Sequence, residues 1–198
     1  MSDQPLLERI DLDDFSTEFK QIDGKSVNYY HWHQCLEFLY IESGVGIVVV
    51  DNQKFTARPG RLFVFPQGKI HKVLVDNTVS NLYQRTVIHV DVAIISPYLR
   101  PFSQRFKLFE EIAAADARVS IYDLSESKTQ VEAMLASYQQ RYVTTSGKSE
   151  LMALLLLTLL SFLSAGIFVR AGNSGLLSSR IMHQIEEGYT GKLSLQEM

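Results

Sequence analysis

The chain has one cysteine, no excess of positive charge, and no charged residue between Leu151 and Val169. Each shortage excludes something. A lone Cys35 cannot close an internal disulfide, so the fold rests on its core, and such usage fits a reducing cytosol. Lysine and arginine total 19 against 22 aspartates and glutamates, giving a net charge of −3 and a pI near 5.9. That balance argues against a nucleic-acid-binding surface on this chain. The opening MSDQPLLERIDLDDF has no basic stretch followed by an apolar one, so no secretory signal is visible and a cytoplasmic location is expected. The uncharged run LMALLLLTLLSFLSAGIFV would be ~29 Å long as a single helix, close to a bilayer core. Thr158, Ser161 and Ser164 interrupt it and Gly166 weakens its end. We therefore read residues 151–169 as a helix buried in a core or a subunit interface, with no membrane partner.

What is present falls into two textures. With 198 residues, 46% of them hydrophobic, the chain can build one large domain or two small ones. From Tyr29 to Asp91 short β-branched or alternating runs are separated by turn residues. GVGIVVV (44–50), the turn DNQ and the return KFTA (54–57) read as a hairpin. RLFVF (61–65), HKVLV (71–75) and LYQRTVIHVD (82–91) follow, divided by Pro59-Gly60 and by PQGK (66–69). This spacing predicts an antiparallel sandwich or barrel. The N-terminal LLERIDLDDF (6–15) suits either an arm lying on it or a strand extending it.

After Pro101 the period becomes helical. Phe106, Phe109 and Ile112 predict one helix over 103–115. Val131, Met134, Leu135, Tyr138 and Tyr142 predict a second over 127–143, with Ser127 and Gln130 as its capping box. The run 151–169 makes a third and LLSSRIMHQIEEG (176–188) a fourth, stopped by Gly188. Ser194-Leu195-Gln196-Glu197 is a further capping box, flanked by Leu193 and Met198, and reads as the start of another helix. One turn of helix is not stable alone in water, so a following domain is expected.

The chemistry concentrates in HWHQCLEFLY (31–40). Along an extended strand residues two apart share a face, so His31, His33 and Glu37 point to one interior. Cys35 joins them unless a bulge intervenes; it reads as a packed thiol, since no histidine and acid are arranged around it. GRLFVFPQGKIH (60–71) delivers His71 just after a turn. Three imidazoles and a carboxylate are a competent set for Zn, Fe, Mn or Ni. Three readings stay open for the four: a catalytic metal, a bound non-catalytic metal, or a metal-free polar cluster lining a pocket. Without a metal they must bond one another, water or a ligand, because an unpartnered buried polar group costs ~1–3 kcal/mol. A Glu37–histidine hydrogen bond would satisfy two of them and raise that histidine's pKa. Arg85, if it points inward, suits a carboxylate or a sugar hydroxyl. His89 reads as a half-exposed strand residue. Tyr30, Trp32, Phe38 and Tyr40, of opposite parity, are expected to pack on the far side of the sheet against a helix.

His31-x-His33-x3-Glu37-x6-Gly44 followed by Gly60-x5-Pro66-x-Gly68-x2-His71 resembles the two-part cupin motif. It departs from it at Val75, where an asparagine is usual, and at Gly24, which stands one residue too far from His31. The resemblance implies a small β-barrel, with His31, His33, Glu37 and His71 as the ligands if a metal is held. Over nearly the whole chain, a cupin half, then helices, then IEEGYTGKLSLQEM resembles the AraC/XylS family of bacterial transcription regulators. In that family a segment of this kind leads into two helix-turn-helix units.

The expected fold is α+β: an antiparallel cupin or jelly-roll barrel with an N-terminal arm over residues 1–101, then a helical dimerisation and linker region over 102–188. Residues 189–198 would begin a DNA-binding domain. The barrel would bind a small-molecule effector, a sugar by default, through His31, His33, Glu37, His71 and Arg85. No cofactor is required, although a divalent metal fits. A homodimer is expected through Met134, Tyr138, Leu151, Leu155, Thr158 and Phe162, with DNA contacted only through the further domain. The competing reading is a metal-dependent cupin enzyme, a dioxygenase or isomerase.

Overall fold

Asp51 and Asn52 both have positive φ, 48° and 60°. This is the backbone of a tight two-residue hairpin turn, which matches the right-handed twist of the strands it joins. The strands are β5 (Gly46–Val50) and β6 (Gln53–Ala57), paired antiparallel from Gly46↔Ala57 to Val50↔Gln53. The computed structural model describes residues 5–13, 17–24, 29–75, 82–163 and 167–168. Its other strands are β1 (Leu6–Leu7), β2 (Thr17–Asp23), β3 (His31–Trp32), β4 (Leu36–Ser43), β7 (Arg61–Phe65), β8 (His71–Val75), β9 (Gln84–Val90), β10 (Ser120–Asp123) and β11 (Ile167–Phe168). They form a five-stranded sheet ordered β1-β3-β8-β5-β6 and a six-stranded sheet ordered β11-β10-β7-β4-β9-β2. The helices are α1 (Val92–Leu99), α2 (Ser103–Ala113), α3 (Lys128–Thr144) and α4 (Lys148–Leu159). This is the expected α+β architecture, a cupin-like double sheet with helices packed on one side.

The six-stranded sheet is buried on both faces, and strand parity divides them. Leu39, Ile41, Phe63, Phe65 and Val87 face the smaller sheet, meeting Val48, Val50 and Val73. Phe38, Tyr40, Leu62, Val64, Ile88 and Val90 face the helices, meeting Leu99, Phe109, Val131, Leu135, Leu155 and Leu156. The expected outward packing of Phe38 and Tyr40 is thus met. Tyr30 and Trp32 differ: they are half-buried on the smaller sheet, because the chain bends at Gln34–Cys35 and crosses from one sheet to the other.

Two glycines lock the loops that carry the second motif. Gly60 has φ +83°, and a Cβ there would stand 2.7 Å from the Cα of Ser125. Its N–H donates to Ile41 O at 2.9 Å and its carbonyl accepts from Leu124 N at 2.7 Å. Gly68 has φ +73°, and its N–H donates to His33 O at 2.9 Å, tying the two histidine segments together. Only glycine adopts such backbone freely.

Several expectations are corrected. Val92–Leu99 is a helix, capped by Asp91, whose carboxylate accepts from the N–H groups of Ala93 and Ile94. Ser127 makes no side-chain cap on α3; a 3-10 turn (Ser125–Ser127) precedes that helix, and Asp123 accepts from Ser125 instead. The run 151–169 is not one helix. α4 stops at Leu159, a 3-10 turn follows through Phe162, and Ile167–Phe168 returns as a strand beside β10. Hydroxyls take up carbonyls at that end: Thr158 Oγ1 donates to Leu154 O and Ser161 Oγ to Thr158 O. No helix among the described residues is long and apolar enough to cross a membrane. The expected boundary at 101/102 falls between α1 and α2, and β10, beyond it, still pairs with β7. The helix expected over 176–188 and the capping box at 194–197 lie outside the described residues.

Of the residues expected at a dimer contact, Leu151 and Leu155 are 5% and 1% exposed within the core of a single chain. That burial leaves them no surface for a second copy, so their role is the core. Met134, Tyr138 and Phe162 are partly buried against the same core and Thr158 is exposed.

Candidate functional site

The sheet register assembles one polar row. Across the six-stranded sheet, Glu18 of β2 pairs with His89 of β9, His89 with Glu37 of β4, and Glu37 with Phe65 of β7. All four point between the sheets. Opposite them, β3 and β8 pair His31 with His71. His33 lies where the chain crosses between the sheets. Phe65 stacks on the His71 ring with centroids 3.9 Å apart and 13° between planes, which fixes that imidazole.

Glu37 Oε2 is the hub. It lies 3.0 Å from His33 Nε2, 3.3 Å from His71 Nε2 and 3.8 Å from His89 Nε2. Close as these are, Glu37 Oε2, His71 Nε2 and His89 Nε2 have no hydrogen bond of acceptable alignment. The rings are oriented from behind. Nδ1 of His31, His33 and His71 faces the backbone carbonyls of Tyr29 (3.3 Å), Glu8 (3.0 Å) and Lys69 (2.9 Å). A carbonyl only accepts, so each Nδ1 carries a hydrogen, and a neutral ring then turns its Nε2 lone pair inward. His31, His33, Glu37, His71 and His89 are all buried.

The electrostatics follow from this packing. Burial pulls His31 down to about 3, helped by the nearby His71, so it is neutral at pH 7. Burial opposes charge on His33 too, but the adjacent Glu37 carboxylate outweighs it and raises that pKa. His89 also resists burial and is pushed up to about 9 by its hydrogen bond to Glu18 and by Glu37. Burial works against the Glu37 carboxylate, yet the imidazoles of His71 and His33 hold it well below the usual carboxylate range. Glu18 is lowered despite burial by His89 and Lys20. Cys35 stays out of the cluster: its thiol is buried and its pKa driven up, chiefly by that burial.

The row forms the floor of a cavity of about 430 Å³. Leu39, Val73, Val87 and Arg85 contribute wall, and the N-terminal segment from Glu8 to Asp13 supplies the rim. That segment is anchored along β3. Leu6 pairs with His31, Glu8 N donates to Trp32 O, and Gln34 exchanges two hydrogen bonds with the Ile10 backbone. Both alternatives are met in part: Leu6–Leu7 extends the smaller sheet as a parallel edge strand, and residues 8–13 continue as an arm along the cavity rim.

The structure thus brings together His31, His33, Glu37 and His71 and sets Arg85 on the same cavity, its guanidinium 5.5 Å from the centre of the Tyr83 ring. The expectation for His89 is corrected: it is 4% exposed and belongs to the cluster, because β2 covers β9 and makes it an interior strand. Glu18 was not expected at all. The alternation of TEFKQID, which sets Glu18 and Lys20 on one face and Phe19 on the other, was the available signal.

Two facing sheets enclosing a polar cavity define a small-molecule-binding domain of cupin type. Residues 15–155, more than half of the chain, match the family described as the AraC-like ligand binding domain, and the chain belongs to that family. Solved structures agree on the fold. An apo ToxT variant from Vibrio cholerae strain SCE256 has TM-score 0.54 at 10% identity, covering 94% of this chain and 70% of that one. ToxT from Vibrio cholerae O395 has TM-score 0.50 at 9% identity, covering 92% and 67%. The EutQ protein of Clostridium difficile overlaps 38% of this chain, which spans 56% of it, at 16% identity and TM-score 0.32, a likeness too limited to bear on the fold. No curated protein sequence matches the chain.

Proposed function

We propose that the chain is the effector-sensing portion of an AraC-type transcription regulator, and that its effector binds in the cavity above the Glu37 row. The observation that carries this is the cavity itself: about 430 Å³, floored by imidazoles and carboxylates, inside a domain of a ligand-binding family. That volume suits one small molecule. A polar floor with Arg85 on the wall suits a hydroxyl-rich ligand of monosaccharide size. The domain would act as a switch, in a dimer that positions DNA-binding domains. A ligand can do this only by binding one arrangement more tightly than the other. The residues expected at the dimer contact that keep some surface are Met134, Tyr138, Thr158 and Phe162.

The test is a thermal-shift screen of monosaccharides, polyols and divalent metals against purified protein. A ligand at about 100 times its Kd stabilises by about 2.7 kcal/mol, a shift of several degrees. A saturable shift that Arg85→Ala abolishes supports the sensor. Metal-dependent turnover of such a ligand would favour the enzyme instead.

The donor set also fits a divalent cation. Three buried imidazoles oriented by carbonyls, beside a carboxylate whose inner oxygen lacks an aligned partner, form a ready-made ligand cluster. His31, His33, Glu37 and His71 would hold the ion. It would supply a Lewis acid able to fix an effector's oxygen atoms.

A further inference from the structure

Resting on that metal-binding reading, we propose that His89 is an additional ligand of the ion and that Glu18 is the carboxylate that positions it. Neither residue lies in the two histidine segments. The geometry assigns them together.

His89 Nδ1 donates to Glu18 Oε2 at 2.9 Å, and both residues are buried. A carboxylate behind a histidine is the usual support of a metal-bound imidazole: it fixes the ring and strengthens the opposite nitrogen as a donor. That opposite nitrogen, Nε2, is buried, lacks a hydrogen-bond partner and points at the hub, 3.8 Å from Glu37 Oε2. The donor atoms of His33, Glu37 and His89 lie within 4.8 Å of one another, as do those of His31, His33 and His71. The two groups share His33. Ligands bonded at about 2.1 Å stand roughly 3–4 Å apart around one ion. The separations of 3.0, 3.3 and 3.8 Å from Glu37 Oε2 to His33, His71 and His89 fall in that range. The donor atoms of His33, Glu37 and His89 would therefore reach a single ion. Ligation requires Nε2 to release any proton it holds to solvent on metal uptake.

The placement follows from the fold. Glu18, His89 and Glu37 occupy one register row on three neighbouring strands. No loop movement is needed to bring them together.

Cobalt(II) is the probe, titrated into metal-free protein. The primary readout is which histidines give exchangeable, hyperfine-shifted imidazole N–H proton signals in the wild type, which requires no variant to fold. Signals from the Nδ1–H of His33 and of His89, which share one donor group, are expected. His89→Phe should remove one signal, alter the visible absorption of the bound ion and weaken Kd about tenfold or more. Glu18→Gln should weaken Kd about tenfold while moving chiefly the signal of the His89 proton, an effect that a purely structural role would not produce. His33→Ala should abolish binding. No shifted signal from His89 in the wild type, with Kd unchanged in His89→Phe but binding lost in His33→Ala, would overturn the inference and leave the metal site standing. Failure of the wild type to bind cobalt(II), nickel(II) or zinc(II) would overturn both.

Discussion

The two faces of the six-stranded sheet are built from the same strands by opposite means. On β4, Glu37 and Leu39 face the cavity side while Phe38 and Tyr40 face the helices; on β9, Val87 and His89 oppose Ile88 and Val90. The helix side is largely apolar, closely covered by α1 to α4, and stabilises chiefly by burial, with the Tyr142 hydroxyl bonded to Thr17 of β2. The cavity side places two carboxylates and several imidazoles out of water, where each charge stays tolerable only beside its counter-charge. Both faces therefore bury apolar core, but the binding chemistry lies on one of them alone, separated from the helix layer by the thickness of a single sheet.

The largest expected effect tests the apolar face. Phe38→Ala removes a side chain that is 1% exposed, and should cost about 3–5 kcal/mol in urea unfolding. At low temperature, where the variant remains folded, ligand or metal binding at the Glu37 row should be unchanged. A cost below about 1 kcal/mol, or a loss of binding in the folded variant, would break the division between the faces.

The polar face should instead be visible through pH in metal-free protein. His89, raised to about 9 from its ordinary 6.5, favours the folded state fully below pH 6.5 and loses that contribution as pH climbs through 9. The loss is on the order of 3 kcal/mol. On the acid side, His31 is lowered to about 3, so the unfolded chain takes up a proton first and stability falls as pH drops below 6.5. Glu18 and Glu37, both lowered, add to that fall below about pH 4.5. Urea midpoints from pH 4 to 9.5 should trace a narrow dome near neutrality, and His89→Gln should flatten its alkaline side. A wild type equally stable at pH 6.5 and 9 would show that charge on His89 does not hold this face together.

The same division explains what was legible in the sequence. Even spacing placed His31, His33 and Glu37 on one side, and the glycine-bounded turn delivered His71, because period-two alternation and turn chemistry are local. His89 and Glu18 escaped because parity reveals which face a residue takes but not whether its strand has a neighbour. β2 pairs with β9 across more than sixty residues of sequence, and with β4 on the other side this makes β9 an interior strand. α1 was missed for a local reason: VAIISPYL is β-branched at its start and carries Pro97 in its interior, both poor signals for a helix. Residues 151–169 misled because apolar content alone does not separate a long helix from a short one followed by a strand; the hydroxyls at Thr158 and Ser161 mark the end.

A smaller effect is expected where the two faces meet. His89 points to the cavity, Val90 to the helices, and Asp91 ends β9 by capping α1 through the Ala93 and Ile94 N–H groups at 2.8 and 3.1 Å. Asp91→Ala should cost about 1 kcal/mol, the usual value of a helix N-cap, with Asp91→Asn restoring most of it. α1 carries Ile95 and Leu99, both fully buried, so fraying its first turn loosens the apolar layer. The Glu18–His89–Glu37 row depends on strand register one residue earlier and should keep its ligand affinity. If Asp91→Ala weakens cobalt(II) binding as well as stability, then the strand end holds the row in place, and the two faces form one cooperative unit whose binding is tuned from the helix side.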